Sequence, residues 1–443
     1  MTPSELGAIE RELTSLVGEA NILSPAPETY AIDDRRPSVI VFPATPEEIA
    51  AILRLASARR LAVVPVGSGR RLSLGNPPER VDILLSTRRM NRILEYEPAD
   101  LTASVEAGCQ LETFQQAARP HRQWLPFDPP EAERATLGGI VAANDFGPLR
   151  QGYGRPRDYI IGMEVVQADG TRIRAGGRVV KNVTGYDLNK LFVGSFGTLG
   201  IIVRVNFKLR PYPEAEATAV LLSTTWEPLE SIARQILGSE LLPAAVLLVT
   251  EEACSVLRHG RQKALLVRFL ETAPAVAYQM DRVRDLAHSS SGEVGELAED
   301  MSRSLWETIG RLHRYLPTDL LVRMSVLPAQ AMEALRAGER LLSEHLAPIY
   351  ALAQPGTGIV HIGGKLTVEG ADGLSRVAQA LVHLRTVWAP HSGQVLVEQA
   401  PLEIKRNLDV WGDVGSSLPL MRALKSTFDP QRILSPGRFV AGL

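Results

Sequence analysis

Val63-Val64-Pro65-Val66-Gly67-Ser68-Gly69-Arg70-Arg71-Leu72-Ser73-Leu74-Gly75 is the stretch around which the chain is organised. A short β-branched run ending in proline delivers the backbone into two glycines separated by a serine. No Cβ blocks a ligand there, and positive φ is allowed. Such a loop can wrap its N–H groups around an anion, and the guanidinium forks of Arg70 and Arg71 match phosphate oxygens in geometry and charge. The same residues also suit an ordinary strand-to-strand turn with solvated arginines, so the surrounding sequence has to decide.

Upstream, Ser38–Phe42 has strand composition and Thr45-Pro46-Glu47-Glu48 is a helix start, with Thr45 as cap, Pro46 at the first helical position and Glu48 placed for a capping box. Ile49, Ile52, Leu53 and Leu55 give that helix one apolar face as far as Arg59. Leu61–Val66 follows as a strand, so the loop closes a β-α-β unit, and Val81–Leu85 adds another strand. Before it, residues 1–37 form an arm with a helix near Glu5–Val17, expected to pack on later parts of the chain.

From Ile93 the pattern changes to alternation, marking a second, antiparallel lobe with a short helix near Leu111–Ala118. Between Arg134 and Gly200 lie 13 of the 36 glycines, about twice an even share, which points to backbone packed closely on a ligand or on itself. Thr136-Leu137-Gly138-Gly139-Ile140-Val141-Ala142-Ala143-Asn144 opens a short helix of small residues whose N–H groups can face an anion. Tyr159–Gln167 and Thr171–Ala175 flank Asp169-Gly170, the chemistry of a two-residue hairpin turn. A helix is expected over Asp187–Val193, then Gly194–Gly200 and a strand Ile201–Leu209. Pro211 and Pro213 mark the best domain boundary. Beyond them, helix-like segments (Leu229–Leu237, Val276–Ala287, Ala329–Glu344, Leu374–Val387) alternate with strand-like ones (Val220–Ser223, Ala245–Thr250, Ala264–Phe269, Val322–Val326, Gln394–Glu398), as in a sheet with helices packed on it. A helix near Leu418–Phe428 and the tail to Arg438 close the chain.

Composition limits the functions available. With 443 residues, more than one packed unit is expected. A net charge of −2 without a dense basic cluster argues against nucleic acid. Cys109 and Cys254 are far apart and in no ligand spacing, so neither a disulfide framework nor an iron–sulfur cluster of its own is expected. No pair of histidines stands at metal-ligand spacing, so no metal site is expected, and a lone His361 or His391 is more often structural. Glu5 and Glu10 occupy a region where an export signal would be basic and then apolar, and no apolar run approaches the ~18 residues of a membrane span. A cytoplasmic location is the expectation. A Rossmann site is disfavoured because Leu72 stands where the third glycine would be.

The order of a Gly-x-Gly-Arg-Arg loop after β-α-β, a glycine-rich antiparallel lobe and a separate α+β unit resembles the flavin-binding fold of the vanillyl-alcohol oxidase and p-cresol methylhydroxylase superfamily. Within it, the chain is most similar to the E-type flavin subunits of bacterial glycolate oxidases. Val64–Gly75, Ala135–Asn144, Arg157–Gly162, Gly177–Leu188, Gly194–Gly200 and Phe428–Arg438 carry the likeness. The resemblance implies an α+β fold: an arm (1–37), a two-lobed FAD-binding domain (38–213), an α+β cap (214–405) and a C-terminal segment returning to the FAD domain (406–443). It implies that Val66, Gly67, Ser68, Gly69, Arg70, Arg71, Leu72 and Ser73 hold the FAD diphosphate. Thr136, Gly138, Gly139 and Ala142 would approach the diphosphate, ribityl and ring, and Gly197 and Ile202 the adenosine half. Many relatives attach the flavin through a histidine near the first loop. None occurs between Met1 and Pro120, so dissociable FAD is expected.

The same resemblance implies a 2-hydroxy acid substrate such as glycolate, with a D-type flavin subunit and an iron–sulfur subunit as partners and membrane contact only through them. The segments that D-type subunits and D-lactate dehydrogenases share differ here. Phe196 replaces a glutamate, Thr357–Gly364 retains only His361 of a histidine-rich segment, a Glu-His-Gly triplet reads Glu398-Gln399-Ala400, and Ser435 replaces an asparagine. These changes remove the expected base and metal ligands, and leave the catalytic residue unassigned. A flavin-carrying subunit is the leading reading. A self-sufficient FAD dehydrogenase of hydroxy or sugar acids, and a structural subunit without flavin, are the alternatives.

Overall fold

The computed structural model describes residues 3–177, 187–288 and 294–443. Among these, sheets of four, five and eight strands carry an α+β architecture. In the four-stranded sheet Val39–Val41, Ile83–Ser86 and Val63–Val66 run parallel, with Ile22–Leu23 antiparallel at the edge. The helix Pro46–Arg59 starts as its sequence requires. Thr45 Oγ1 accepts the Glu48 N–H at 3.1 Å, and Glu48 Oε2 accepts the Ala44 N–H at 2.7 Å. Its Ile49, Ile52, Leu53 and Ala56 are buried in one cluster with Ile9, Leu13 and Val17 of the N-terminal helix Pro3–Val17, which is what the arm packs against.

The five-stranded sheet is wholly antiparallel, in the order Ile93–Glu97, Thr102–Glu106, Ile201–Lys208, Ile160–Val166, Arg172–Gly176. Its last hairpin departs from the two-residue expectation. The Gln167 N–H bonds to Thr171 O at 2.9 Å, enclosing Ala168, Asp169 and Gly170 in a three-residue loop. Gly170 takes the left-handed position (φ +82°), and a Cβ there would stand 2.5 Å from Ala50 O. The Asp-Gly pair marks the turn, while the residue before it sets the loop length.

The eight-stranded antiparallel sheet belongs to the cap. It runs from Val294–Ala298 at one edge to Gln394–Gln399 at the other. Leu346–Gln354 and Ile359–Leu366 lie inside it, two strands that propensity alone does not show because glycines, Pro348 and His361 interrupt their apolar runs. Period-2 alternation divides its faces. Val322, Met324, Val360, Ile362, Val395 and Val397 join the core under the long helices Trp226–Leu237, Ala273–His288, Ala331–Leu342 and Gly370–Trp388. The intervening Leu321, His361 and Glu398 face the other way, towards the glycine-rich loops.

The C-terminal segment crosses back. Leu434 pairs in parallel with Val63: the Val63 N–H bonds to Ile433 O at 2.7 Å and the Ser435 N–H to Val63 O at 2.9 Å. Lys425 Nζ, buried in the helix Leu418–Phe428, donates to Asp429 at 2.7 Å and to Thr198 O and Leu434 O at 2.8 Å. The tail is thereby tied both to the sheet edge and to the Gly194–Gly200 turn. Residues 178–186 of the Gly177–Leu188 segment, which carries part of the sequence resemblance, lie outside the described residues. The helix expected over Asp187–Val193 is present as Asn189–Phe192.

Candidate functional site: two chambers that share an arginine pair

Two cavities lie on either side of the loop that follows Val66. The first, about 120 Å³, is walled by Val66, Gly67, Ser68, Gly69, Arg70, Arg71 and Leu72 on one side, and by Thr136, Gly138, Gly139, Ala142, Gly197 and Ile202 on the other. Sequence reasoning thus brings together thirteen of fourteen candidate residues; Ser73 lies past the bend, on the wall of the second cavity.

The backbone explains why this wall suits an anion. Among the described residues, the N–H groups of Gly67, Ser68, Gly69, Arg70 and Arg71 make no hydrogen bond, whereas those of Leu72 and Leu74 close turns onto Gly69 O and Arg71 O at 3.1 Å. A run of amides facing a cavity is an anion cradle. Opposite it, Thr136 caps the helix Leu137–Ala143, its Oγ1 accepting the Gly139 N–H at 3.3 Å. Gly67 packs so closely on that hydroxyl that a Cβ would collide with it, and a Cβ on Gly138 would stand 2.5 Å from that of Ala107. Gly67 approaches Thr136, and Gly138 approaches Ala107, this closely only because each glycine lacks a side chain. A diphosphate-bearing cofactor fits the amides and small residues of this cavity. No histidine or cysteine stands among its lining residues.

The arginine side chains do something other than the sequence suggests. Arg70 Nη2 pairs with Asp145 Oδ2, and Arg71 reaches the same carboxylate through Nη2 at 2.6 Å and Nε at 3.1 Å. Two adjacent guanidinium groups on one buried acid would otherwise repel each other, and the shared carboxylate fixes both. Burial alone would raise the Asp145 carboxyl, but the charges of Arg71 and Arg70 hold it far below the carboxylate range. The pair is therefore neutralised from within the chain to a large extent, and the part of the loop left without a partner among the described residues is its backbone.

Arg70 and Arg71 also border the second cavity, about 130 Å³, between these loops and the cap sheet. Here Glu398, its side chain 3 % exposed, lies 3.5 Å from Arg71 Nη1 and 3.1 Å from Arg323 Nη1. Burial opposes its ionisation, yet Arg71 and Arg323 hold its pKa below the ordinary value. His361 sits opposite Arg323 across the strand pair. Burial pushes its imidazole down to about 4, with Glu398 opposing the fall and Arg323 and Arg71 adding to it, so near neutral pH the ring is uncharged and can accept a hydrogen bond. Asp128 anchors the cavity's other rim, accepting the Gly147 N–H at 3.0 Å and the Leu149 N–H at 2.8 Å. Burial pushes its carboxyl up to about 7.

Sequence reasoning missed Asp145, Arg323 and Arg438, and left His361 and Glu398 without a role. Asp145 directly follows the Thr136–Asn144 motif, but no local spacing links it to arginines 74 and 75 residues earlier. The alternation of apolar residues around Arg323, His361 and Glu398 was the available signal. It places all three on the face opposite the cap core. Among the described residues no group of three or more His, Cys, Asp or Glu is placed to hold a metal ion. Phe196 packs on Trp411 and Phe439 with ring centroids 4.7 and 6.0 Å away.

Comparison with known proteins places these cavities in context. Residues 37–176 match the family model of the FAD binding domain, and residues 413–439 that of the C-terminal domain of FAD linked oxidases. The glycolate oxidase subunit GlcD of Bacillus subtilis is 29 % identical, over 91 % of this chain and 89 % of its own length. A D-lactate dehydrogenase of Archaeoglobus fulgidus is 28 % identical, over 95 % and 97 %. The crystal structure of p-cresol methylhydroxylase with substrate bound superposes with a TM-score of 0.77 at 17 % identity, covering 99 % of this chain and 97 % of that one, which establishes the shared fold. No helix among the described residues is long and apolar enough to cross a membrane.

Proposed function

Since residues 37–176 are a FAD binding domain and residues 413–439 match the C-terminal domain of FAD linked oxidases, we propose that the chain is a FAD-dependent oxidoreductase of 2-hydroxy acids such as glycolate. In this reading FAD is held non-covalently in the first chamber. The amides of Gly67–Arg71 take the diphosphate, with Val66, Leu72, Ser73, Thr136, Gly138, Gly139 and Ala142 around it, and Gly197 and Ile202 lie at the adenosine half. Residues 38–213 are the FAD-binding unit, 214–405 the cap, and 406–443 the returning segment.

The observation that carries the proposal is that the second chamber opens on the same Arg70–Arg71 wall as the first. A small acid bound there lies beside the cofactor. The cofactor, when bound, supplies the two-electron redox chemistry. The chain contributes position and charge. Arg70, Arg71 and Arg323 outnumber Asp145 and Glu398 by one positive charge, and burial raises the carboxyl of the third acid, Asp128, to about 7, so the chamber accommodates a monoanion best when Asp128 is protonated; relatives are named for glycolate, D-lactate and D-2-hydroxyglutarate. Phe146 lines the chamber, and the Arg323 guanidinium lies over its ring, 5.7 Å from the centroid.

The chain further acts as one flavin subunit of a glycolate dehydrogenase complex, alongside a D-type flavin subunit and an iron–sulfur subunit that receives the electrons. Support for this comes from the resemblance of its sequence motifs to those of E-type subunits and from its two buried cysteines, too few to hold a cluster; the glycolate oxidase relative found by comparison is itself a D-type subunit. Co-purification from the native host tests it: a tagged chain that brings down neither a flavin subunit nor an iron–sulfur subunit refutes the complex.

A second reading, a self-sufficient dehydrogenase, is favoured by His361, whose uncharged imidazole lines the second chamber and can accept a hydrogen bond from the hydroxyl of a bound acid. Anaerobic addition of glycolate or D-lactate to the isolated chain separates the two. Bleaching of the flavin that His361→Asn abolishes supports self-sufficiency, and a flavin that stays oxidised supports the carrier role.

A further inference from the structure

We infer that Arg438 is the cation that neutralises the diphosphate in the first chamber, a role that the sequence offers to Arg70 and Arg71. The inference rests on the FAD reading above. Arg70 and Arg71 are both committed to Asp145, and Arg71 to Glu398 as well. Arg438 lies more than 360 residues away in sequence, is 7 % exposed, and lines the same chamber as Gly67, Ser68 and Gly69.

Its surroundings differ from those of the other two. Nη2 donates to Leu72 O and Leu74 O, each at 2.6 Å. Among the described residues Arg438 has no carboxylate within ion-pairing distance. Burial pushes its pKa down to about 10, and the acid that opposes this through space, Asp33, is itself held by Lys405 at 2.7 Å. A buried guanidinium without an anion is costly unless a ligand supplies one. Nε and Nη1 make no hydrogen bond among the described residues, so two edges of the guanidinium are free to meet phosphate oxygens.

The loop is also shaped by this contact. Arg438 holds the carbonyls of Leu72 and Leu74, and Lys405 Nζ holds that of Ser73 at 2.6 Å. With three consecutive carbonyls drawn to the tail side, the unbonded amides of Gly67–Arg71 are left for the ligand. Arg438 therefore has two functions to separate: positioning the loop, and charge towards the diphosphate.

Titration of the full-length chain with FAD and with riboflavin, which lacks phosphate, separates them. Flavin fluorescence is the readout for wild type, Arg438→Gln, Arg438→Lys and Arg70→Gln. Wild type should prefer FAD over riboflavin, and failure there refutes the FAD reading itself. Arg438→Gln should cut that preference about 10- to 100-fold, the range of a lost charge-assisted hydrogen bond, while riboflavin affinity changes little. Arg438→Lys, which retains the charge and guards against a folding defect in the glutamine variant, should keep most of the preference. The inference is overturned if Arg438→Gln and Arg438→Lys both weaken FAD and riboflavin equally, which would leave a loop-holding role only. It is also overturned if Arg70→Gln, and not Arg438→Gln, removes the preference.

Discussion

Replacing Asp145 with asparagine probes the ion network that separates the two chambers. The carboxylate is 3 % exposed and is the acid paired with Arg70, whose side chain is 6 % exposed. Arg71 keeps a longer contact to Glu398 at 3.5 Å. Removing one partner of a buried pair costs about 3–5 kcal/mol, because the remaining charge is left desolvated. The asparagine carbonyl and the Glu398 contact offset part of this, so a loss of about 3 kcal/mol is expected in urea unfolding of the full chain, with both proteins in the same flavin state. The pH dependence fixes the sign. Asp145 is held far below the ~3.9 of an unfolded aspartate, so its contribution is complete above about pH 4 and is lost as pH falls through the folded value. The gap between wild type and Asp145→Asn should be flat around neutrality and shrink in acid. A double-mutant cycle with Arg70→Gln should return a coupling of at least ~1.5 kcal/mol. A gap under ~1 kcal/mol at neutral pH, or coupling near zero, would refute the claim that Asp145 organises the arginine pair.

Other substitutions test the walls and the tail. Gly67→Ala drives a methyl into Thr136 Oγ1, breaking the cap on the helix Leu137–Ala143, a cost of about 1 kcal/mol for the cap alone. Flavin retained through purification should fall at least tenfold, as read from the flavin-to-protein absorbance ratio. Lys425→Met leaves Asp429 buried without its cation, though still bonded to the Ile433 and Leu434 N–H groups. A loss of about 3 kcal/mol is expected, with limited proteolysis now cutting within the last fifteen residues.

Much of the FAD-binding part is legible in the sequence because its determinants are local. The Thr45 cap, the glycine pair at 67 and 69, Thr136 as a helix cap and the prolines at 211 and 213 each act within a few residues, and the structure places all but one of the loop and turn residues on one cavity. The charged contacts between distant segments were not legible for the opposite reason. Asp145 meets Arg70 and Arg71, Arg323 meets Glu398, and Arg438 meets Leu72 only after three sheets and the returning tail are in place. A charged residue at alternate positions of a strand reads as an exposed face until another domain covers it. His361 illustrates this, since in sequence it is a lone histidine between apolar residues, and in the fold it is an uncharged ring at the wall of a cavity. The hairpin at Asp169-Gly170 shows a smaller limit. The dipeptide marks the turn, but pairing of Gln167 with Thr171 sets the loop length.

The central claim is that the first chamber holds dissociable FAD. Its most direct test is to denature the purified chain, pass it through a membrane that retains protein, and identify the flavin on each side. The account predicts a flavin absorbance band in the native chain, one flavin per chain, with all of it recovered in the filtrate as FAD. Flavin that stays with the denatured protein, filtrate flavin without the adenosine half, or a chain that neither carries nor binds FAD on titration would contradict it.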